Sequence, residues 1–108
     1  MASNGYKLTE IARRDLDETL DYISNVLFNP IAARDFFDKI TEMIDTICAF
    51  PESCPIVEND FVVKTDIRKA FVGNYIMYYS FDKFEHMVWI IRIVYGRRNL
   101  EEILRSLP

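Results

Sequence analysis

Glycine and histidine are scarce in this 108-residue chain, with three glycines, one histidine and only two cysteines. So little glycine excludes collagen-like and low-complexity architectures, and no internal repeat is present. A lone His86 has no second imidazole with which to share a metal, and no Cys/His set surrounds Cys48 and Cys54, so neither a metal nor a cofactor is expected. Two cysteines are too few for a disulfide framework, and both are expected to be reduced thiols beside the turn that Pro51 and Pro55 mark. No run approaches the roughly 18 uninterrupted apolar residues of a membrane span. Residues 1–6 are too short and polar for a signal peptide, so a cytoplasmic protein without a membrane partner is expected. A GxSxG elbow, a Walker-type phosphate loop and an HExxH helix are also missing, and no small-molecule substrate is expected.

What is present is apolar sequence in quantity. Half of the residues are hydrophobic and 28% are charged, enough for one compact domain over residues 1–108 and too little for two. The net charge of −4 hides a division. Residues 1–63 carry five Lys/Arg against twelve Asp/Glu, a balance of −7, whereas residues 64–98 carry seven against three, a balance of +4. A basic half joined to an acidic half can present a local potential opposite in sign to the total.

Periodicity predicts an α+β fold. Residues 5–9 alternate as a short strand. Thr9 offers an N-cap and Glu10 an anion for the first turn of a helix over about 10–28, with Leu16, Leu20, Ile23 and Leu27 on its apolar face and Arg13, Arg14, Asp15, Asp17, Glu18 and Asp21 outside. Asn29-Pro30 caps and starts a second helix. On it Ala33, Phe37, Ile40, Ile44 and Ile47 form a stripe that Phe36 and Met43 widen, and Phe50-Pro51 ends it. So tight a connection makes an antiparallel helical hairpin. Residues 51–60 read as a surface loop. Runs at 67–72, 75–81 and 88–95, separated by Gly73-Asn74 and by residues 82–86, predict an antiparallel three-strand meander. The third run is broken only by Arg92 and is expected to be a central strand. Asn99 with Glu102 resembles a capping box that opens a short last helix carrying Leu100, Ile103, Leu104 and Leu107.

Two places invite a chemical reading. Glu85-His86 is the only adjacent acid and imidazole, but it falls in a hairpin turn, where side chains are solvated. Gly96-Arg97-Arg98 is more informative: two guanidinium groups leave a stiff strand just ahead of a helix N-terminus, where anions are favoured. Arg68, Lys69 and Arg92 are expected nearby. Two readings stand, recognition of a phosphate or carboxylate, or pairing with Asp66, Glu101 and Glu102.

The blocks LTEIARRDLDETLDYI, NPIAARDFFDKITEMIDTICAFP, IRKAFVGNYIMYYSF and IIRIVYGRRNLEEIL, in that order, resemble the RelE/ParE toxin superfamily, and its ParE-like members most closely. The resemblance spans nearly the whole chain. It implies the toxin of a two-gene toxin–antitoxin module, neutralised by a cognate antitoxin that wraps across the sheet and helices. ParE-like members poison DNA gyrase; RelE-like members cleave messenger RNA on the ribosome, with basic side chains on the sheet and commonly a tyrosine or histidine near the C-terminus. This chain ends NLEEILRSLP with neither, and Ile76 stands where the family's sheet arginine would fall. A binding toxin directed at gyrase is therefore favoured over a nuclease, and no catalytic residue is assigned. Arg68, Arg92 and Arg98 are the candidates for the nuclease alternative, and a degenerate scaffold that only binds antitoxin is a third reading. Gly96, Arg97, Arg98, Arg68 and Lys69 are expected to bind the target. Leu20, Ile23 and Phe37 on the hairpin, or Leu104 and Leu107 on the last helix, are expected to meet the antitoxin.

Overall fold

The computed structural model describes residues 2–57, 66–97 and 100–107. The chain forms β1 (Gly5–Leu8), α1 (Glu10–Asp21), α2 (Pro30–Ala49), β2 (Arg68–Val72), β3 (Tyr75–Asp82), β4 (Met87–Tyr95) and α3 (Leu100–Ser106). The strands make one sheet in the order β1-β4-β3-β2, with β1 parallel to β4 and the other pairs antiparallel. β4 is thus central, as its near-continuous apolar sequence predicts.

Both helix starts follow the expected caps. Thr9 Oγ1 accepts from the Ala12 amide at 3.0 Å and donates to the Ile91 carbonyl at 2.9 Å, so one hydroxyl closes the helix and docks it on β4. Asn29 Oδ1 accepts from the Ala32 amide at 3.0 Å, with Pro30 at the first helical position. The first helix does not run evenly to residue 28. A wide π turn occupies Tyr22–Val26, the Leu27 amide donates to the Tyr22 carbonyl, and Phe28 takes a left-handed φ of 52°. Inserting that turn rotates the chain out of helical phase, so Leu27 leaves the stripe of Leu16, Leu20 and Ile23 and stands exposed.

The sheet buries both faces. On the helix side Phe36, Ile40, Ile44 and Ile47 of α2 pack with Met77, Tyr79, Val88, Ile90 and Ile93. Phe36 is 8% exposed and Phe37 40%, the reverse of the expected weighting. On the other side Ile103, Leu104 and Leu107 close over Ile67, Ile76, Tyr78, Ile91 and Val94. Residues 51–57 are more than a surface connection. Pro51 and Val57 are buried, the Val57 amide donates to the Ile67 carbonyl at 2.7 Å, and Ile56 forms a bridge with Arg68. Cys48 and Cys54 are free, half-buried thiols against the helix-side core. No described helix is long and apolar enough to cross a membrane.

One irregularity positions the site. Tyr78 pairs with Arg92 but Tyr79 with Ile90, so β4 carries one extra residue opposite that step. The bulge breaks the alternation: Ile90 and Ile93 both face the helices, while Ile91 faces α3. β1 ends opposite Ile90, which leaves the remainder of β4 without a strand on that side. Helix α1 covers this edge.

Candidate functional site

The Gly96 corner is held by backbone. Its amide donates to the Asn74 carbonyl at 2.8 Å, and a Cβ at Gly96 would stand 3.0 Å from that same oxygen. Close approach of the two backbones, rather than a positive φ, is what demands glycine here. The corner is thereby fixed to the β2–β3 turn and sends Arg97 into solvent, where it has no ion-pair partner among the described residues. Arg98 and Asn99, and with Asn99 the expected capping box, lie outside the described residues. Asp66 is exposed and Glu102 makes contacts of its own.

The other expected cations are placed differently. Arg68 begins β2, at the opposite end of that strand from the turn that holds Gly96, roughly 13 Å away at strand rise. Its guanidinium donates to the carbonyls of Cys54 at 2.6 Å and Glu52 at 3.2 Å, pinning the segment after α2. Lys69 lies beside it, with Nζ 5.9 Å from the centre of the Phe71 ring. Neither joins the corner. Arg92 turns toward α1: Nε donates to Asp15 Oδ2 at 2.8 Å and Nη2 to Asp15 Oδ1 at 3.1 Å, while Nη1 reaches Ser106 Oγ on α3 at 3.0 Å. The Ile93 amide, unpaired where β1 has ended, donates to Asp15 Oδ2 at 3.1 Å.

Asp15, expected on the solvated face of the first helix, is therefore a buried anion that ties α1, β4 and α3 together. The signal for it was Arg92, since a lone cation inside an apolar strand requires a carboxylate partner. Helical geometry singles out Asp15, one turn from the buried Ala12 and one turn from Thr19.

Three tyrosines of β3, Tyr75, Tyr78 and Tyr79, offer no ready base. Tyr79 is fully buried and donates to the Pro51 carbonyl at 2.9 Å, and burial, reinforced by Cys54, pushes its phenol well above the ordinary value of 10.0. Burial also raises Tyr78. For Tyr75 burial acts first, and the neighbouring phenols of Tyr95 and Tyr22 add to it. His86 sits at the opposite end of β4 from Gly96, at the β3–β4 turn with φ 54°, edge-on to Phe81 at 6.0 Å. Glu85-His86 is thus a turn packed on the sheet. Among the described residues no group of three His, Cys, Asp or Glu could hold a metal ion.

Of the side chains expected to meet an antitoxin, Leu20 and Ile23 pack against the helix-side core, and Leu104 and Leu107 are buried beneath α3. Phe37 alone is exposed. A cluster of exposed apolar side chains stands instead at the hairpin tip, where Phe28 is 85% and Ile31 82% exposed, with Val26 and Leu27 beside them, while Phe50, Phe71 and Phe84 are exposed singly elsewhere. Sequence reasoning missed this tip because it treated residues 10–28 as one even helix.

Comparison with known proteins gives a consistent result. The family of ParE toxins of type II toxin–antitoxin systems matches over residues 6–100. No curated protein sequence matches the chain. Among solved structures, the chain is similar to one from the chromosomal ParDE toxin–antitoxin system of P. aeruginosa, with TM-score 0.67, 20% identity, and 88% of this chain and 96% of that one covered. It is similar to a chain of the toxin–antitoxin complex RelBE2 from Mycobacterium tuberculosis, with TM-score 0.61, 18% identity and coverages of 88% and 93%. The archaeal RelE–RelB complex from Pyrococcus horikoshii OT3 gives TM-score 0.57, 16% identity and coverages of 91% and 99%.

Proposed function

Because the chain belongs to the ParE toxin family of type II toxin–antitoxin systems, we propose that it arrests growth by binding DNA gyrase through the corner at Gly96, Arg97 and Arg98, and that a cognate antitoxin neutralises it. The observation that carries the choice of a binding toxin over a nuclease is the engagement of Arg92. A sheet guanidinium that stabilises a phosphorane has to face the substrate, whereas this one is occupied by Asp15 and Ser106. Arg68 is likewise engaged by the Glu52 and Cys54 carbonyls. The raised phenols of Tyr75, Tyr78 and Tyr79 are poor general bases near neutral pH. Arg97 stands exposed on a corner fixed by backbone, the arrangement in which a guanidinium forks onto a carboxylate or phosphate of a large partner. Antitoxin binding is supported by the fold's likeness to chains crystallised in RelBE2 and RelE–RelB complexes.

The test is supercoiling of relaxed plasmid by purified gyrase in the presence of the toxin. Inhibition relieved by the protein encoded in the adjacent reading frame is expected. Unchanged supercoiling at high molar excess, together with new 5′ ends at codon positions in translated messages after induction, would replace this reading with the nuclease.

A further inference from the structure

Beside the open edge of β4 lies a groove of about 240 Å³, walled by Glu18, Thr19 and Tyr22 of the first helix and by Tyr75 and Tyr95 of the sheet. Tyr75 and Tyr95 meet edge-on at 5.4 Å, and the Tyr22 phenol is close enough to act on Tyr75. Glu18 is exposed and, among the described residues, has no ion-pair partner; Arg14, one turn before it, forms no ion pair with it. The other carboxylate in the wall, Asp15, is already saturated by Arg92 and the Ile93 amide. Tyr22 also opens the π turn that leads directly into the exposed apolar tip.

We infer that this groove receives a lysine or arginine side chain of the antitoxin, and that apolar residues flanking that cation cover Val26, Leu27, Phe28 and Ile31. The inference rests on the reading that an antitoxin is the partner. Three phenol rings and a carboxylate without an ion-pair partner among the described residues, all lining one groove, suit a cation with an apolar stem: aromatic rings attract the charge, the carboxylate pairs with it, and the methylenes lie along the rings. At about 240 Å³ the groove falls below the roughly 300–1,000 Å³ of small-molecule sites. A second copy of the toxin fits poorly, because a two-fold contact here would bring together two acidic halves, residues 1–63 carrying −7 each. A flexible antitoxin segment must bury apolar surface to offset its ordering entropy, and the tip supplies that surface next to the charge.

The experiment is calorimetric titration of the folded toxin with the protein encoded by the adjacent reading frame, using wild type, Glu18→Arg and Tyr22→Ala. Both side chains are exposed, and thermal melts confirm that the variants fold. Glu18→Arg is expected to weaken association about tenfold or more, to flatten its salt dependence and to recover when the matching antitoxin cation is changed to glutamate. Growth inhibition by Glu18→Arg without antitoxin is expected to be unchanged. Equal binding by wild type and both variants overturns the groove assignment and leaves the antitoxin reading intact. Absence of binding by wild type overturns both. A change in toxin self-association alone would assign the groove to a second copy and overturn the proposal.

Discussion

Arg92 and Asp15 form a two-pronged ion pair, 2.8 and 3.1 Å, with side chains only 12% and 10% exposed. It joins the central strand to a helix, and Ser106 extends it to the other layer. Removing one member leaves an uncompensated charge in a poorly hydrated place, which typically costs about 3–5 kcal/mol, whereas an apolar pair of similar volume is often neutral. Arg92→Met and Asp15→Leu are thus each expected to destabilise strongly, and the two together much less than the sum. Urea denaturation of the four proteins checks this. Additive losses would show that the two side chains act independently.

The same pair marks the limit of what the chain discloses by pattern. The hairpin, the meander and the central position of β4 were legible because the apolar spacing, the Asn29-Pro30 start and the Gly73-Asn74 turn all agree with the final packing. The parallel partnership of β1 with β4 was not, since it joins segments about 80 residues apart, nor was the bulge at Ile91, a one-residue shift in the β3–β4 register that a near-continuous apolar run does not mark. The place of Arg92 on the third meander strand predicts a position near the Gly96 corner, but the bulge and the end of β1 turn it toward Asp15 instead. At the hairpin, a single wide turn shifted the phase by one residue, moving Leu27 out of the core and creating the exposed tip. Pattern rules for an even helix cannot register that shift.

Phe36 and Phe37 test the observed phase of α2 directly. Phe36 is buried and packs at 4.7 Å, ring centre to ring centre, on Tyr75, so Phe36→Ala is expected to cost about 3–5 kcal/mol. Phe37→Ala, on the exposed side, is expected to cost less than about 1 kcal/mol. Equal losses in chemical denaturation would mean that the helix is rotated from the orientation described.

Alkaline pH should destabilise the fold through Tyr79 and Tyr78. Both phenols are buried and raised above the 10.0 at which an unfolded tyrosine ionises. Below pH 10 both states keep the proton, and the stabilisation is fully present. As pH rises past 10 the unfolded chain releases protons that the folded chain retains, so stability falls by about 1.4 kcal/mol per pH unit per group until the folded phenols ionise too. Tyr79→Phe should lose the bond to the Pro51 carbonyl, about 1 kcal/mol, yet show a shallower decline above pH 10. Parallel curves for wild type and variant would contradict this assignment.

Gly96→Ala tests the close backbone approach that fixes the corner. The added methyl would press on the Asn74 carbonyl at 3.0 Å, and both partners are backbone with little room to yield. Overpacking of this kind costs about 1–3 kcal/mol. A lower melting temperature is expected, together with weaker growth inhibition, because Arg97 would be displaced from its position. Asn74→Gly leaves the carbonyl in place and should not relieve the strain, so the double variant is expected to resemble Gly96→Ala.

Arg97 is an exposed cation with no ion-pair partner among the described residues, and replacing it together with Arg98 tests the proposed function most sharply. Burying a guanidinium in an interface commonly contributes about 2 kcal/mol or more when truncated, which is roughly a thirtyfold loss of affinity. Arg97→Ala with Arg98→Ala is accordingly expected to abolish inhibition of gyrase supercoiling and of growth. The thermal melt should be close to that of wild type, because Arg97 contacts solvent and has no described ion-pair partner. Antitoxin binding should persist, because the groove beside Glu18 is built from other residues. Arg97→Lys with Arg98→Lys keeps the charge but loses the planar fork, so an intermediate loss would indicate two-pronged recognition of a carboxylate or phosphate. Full activity of the alanine variant would remove the corner from the mechanism and direct attention to the acidic hairpin as the surface that meets the target.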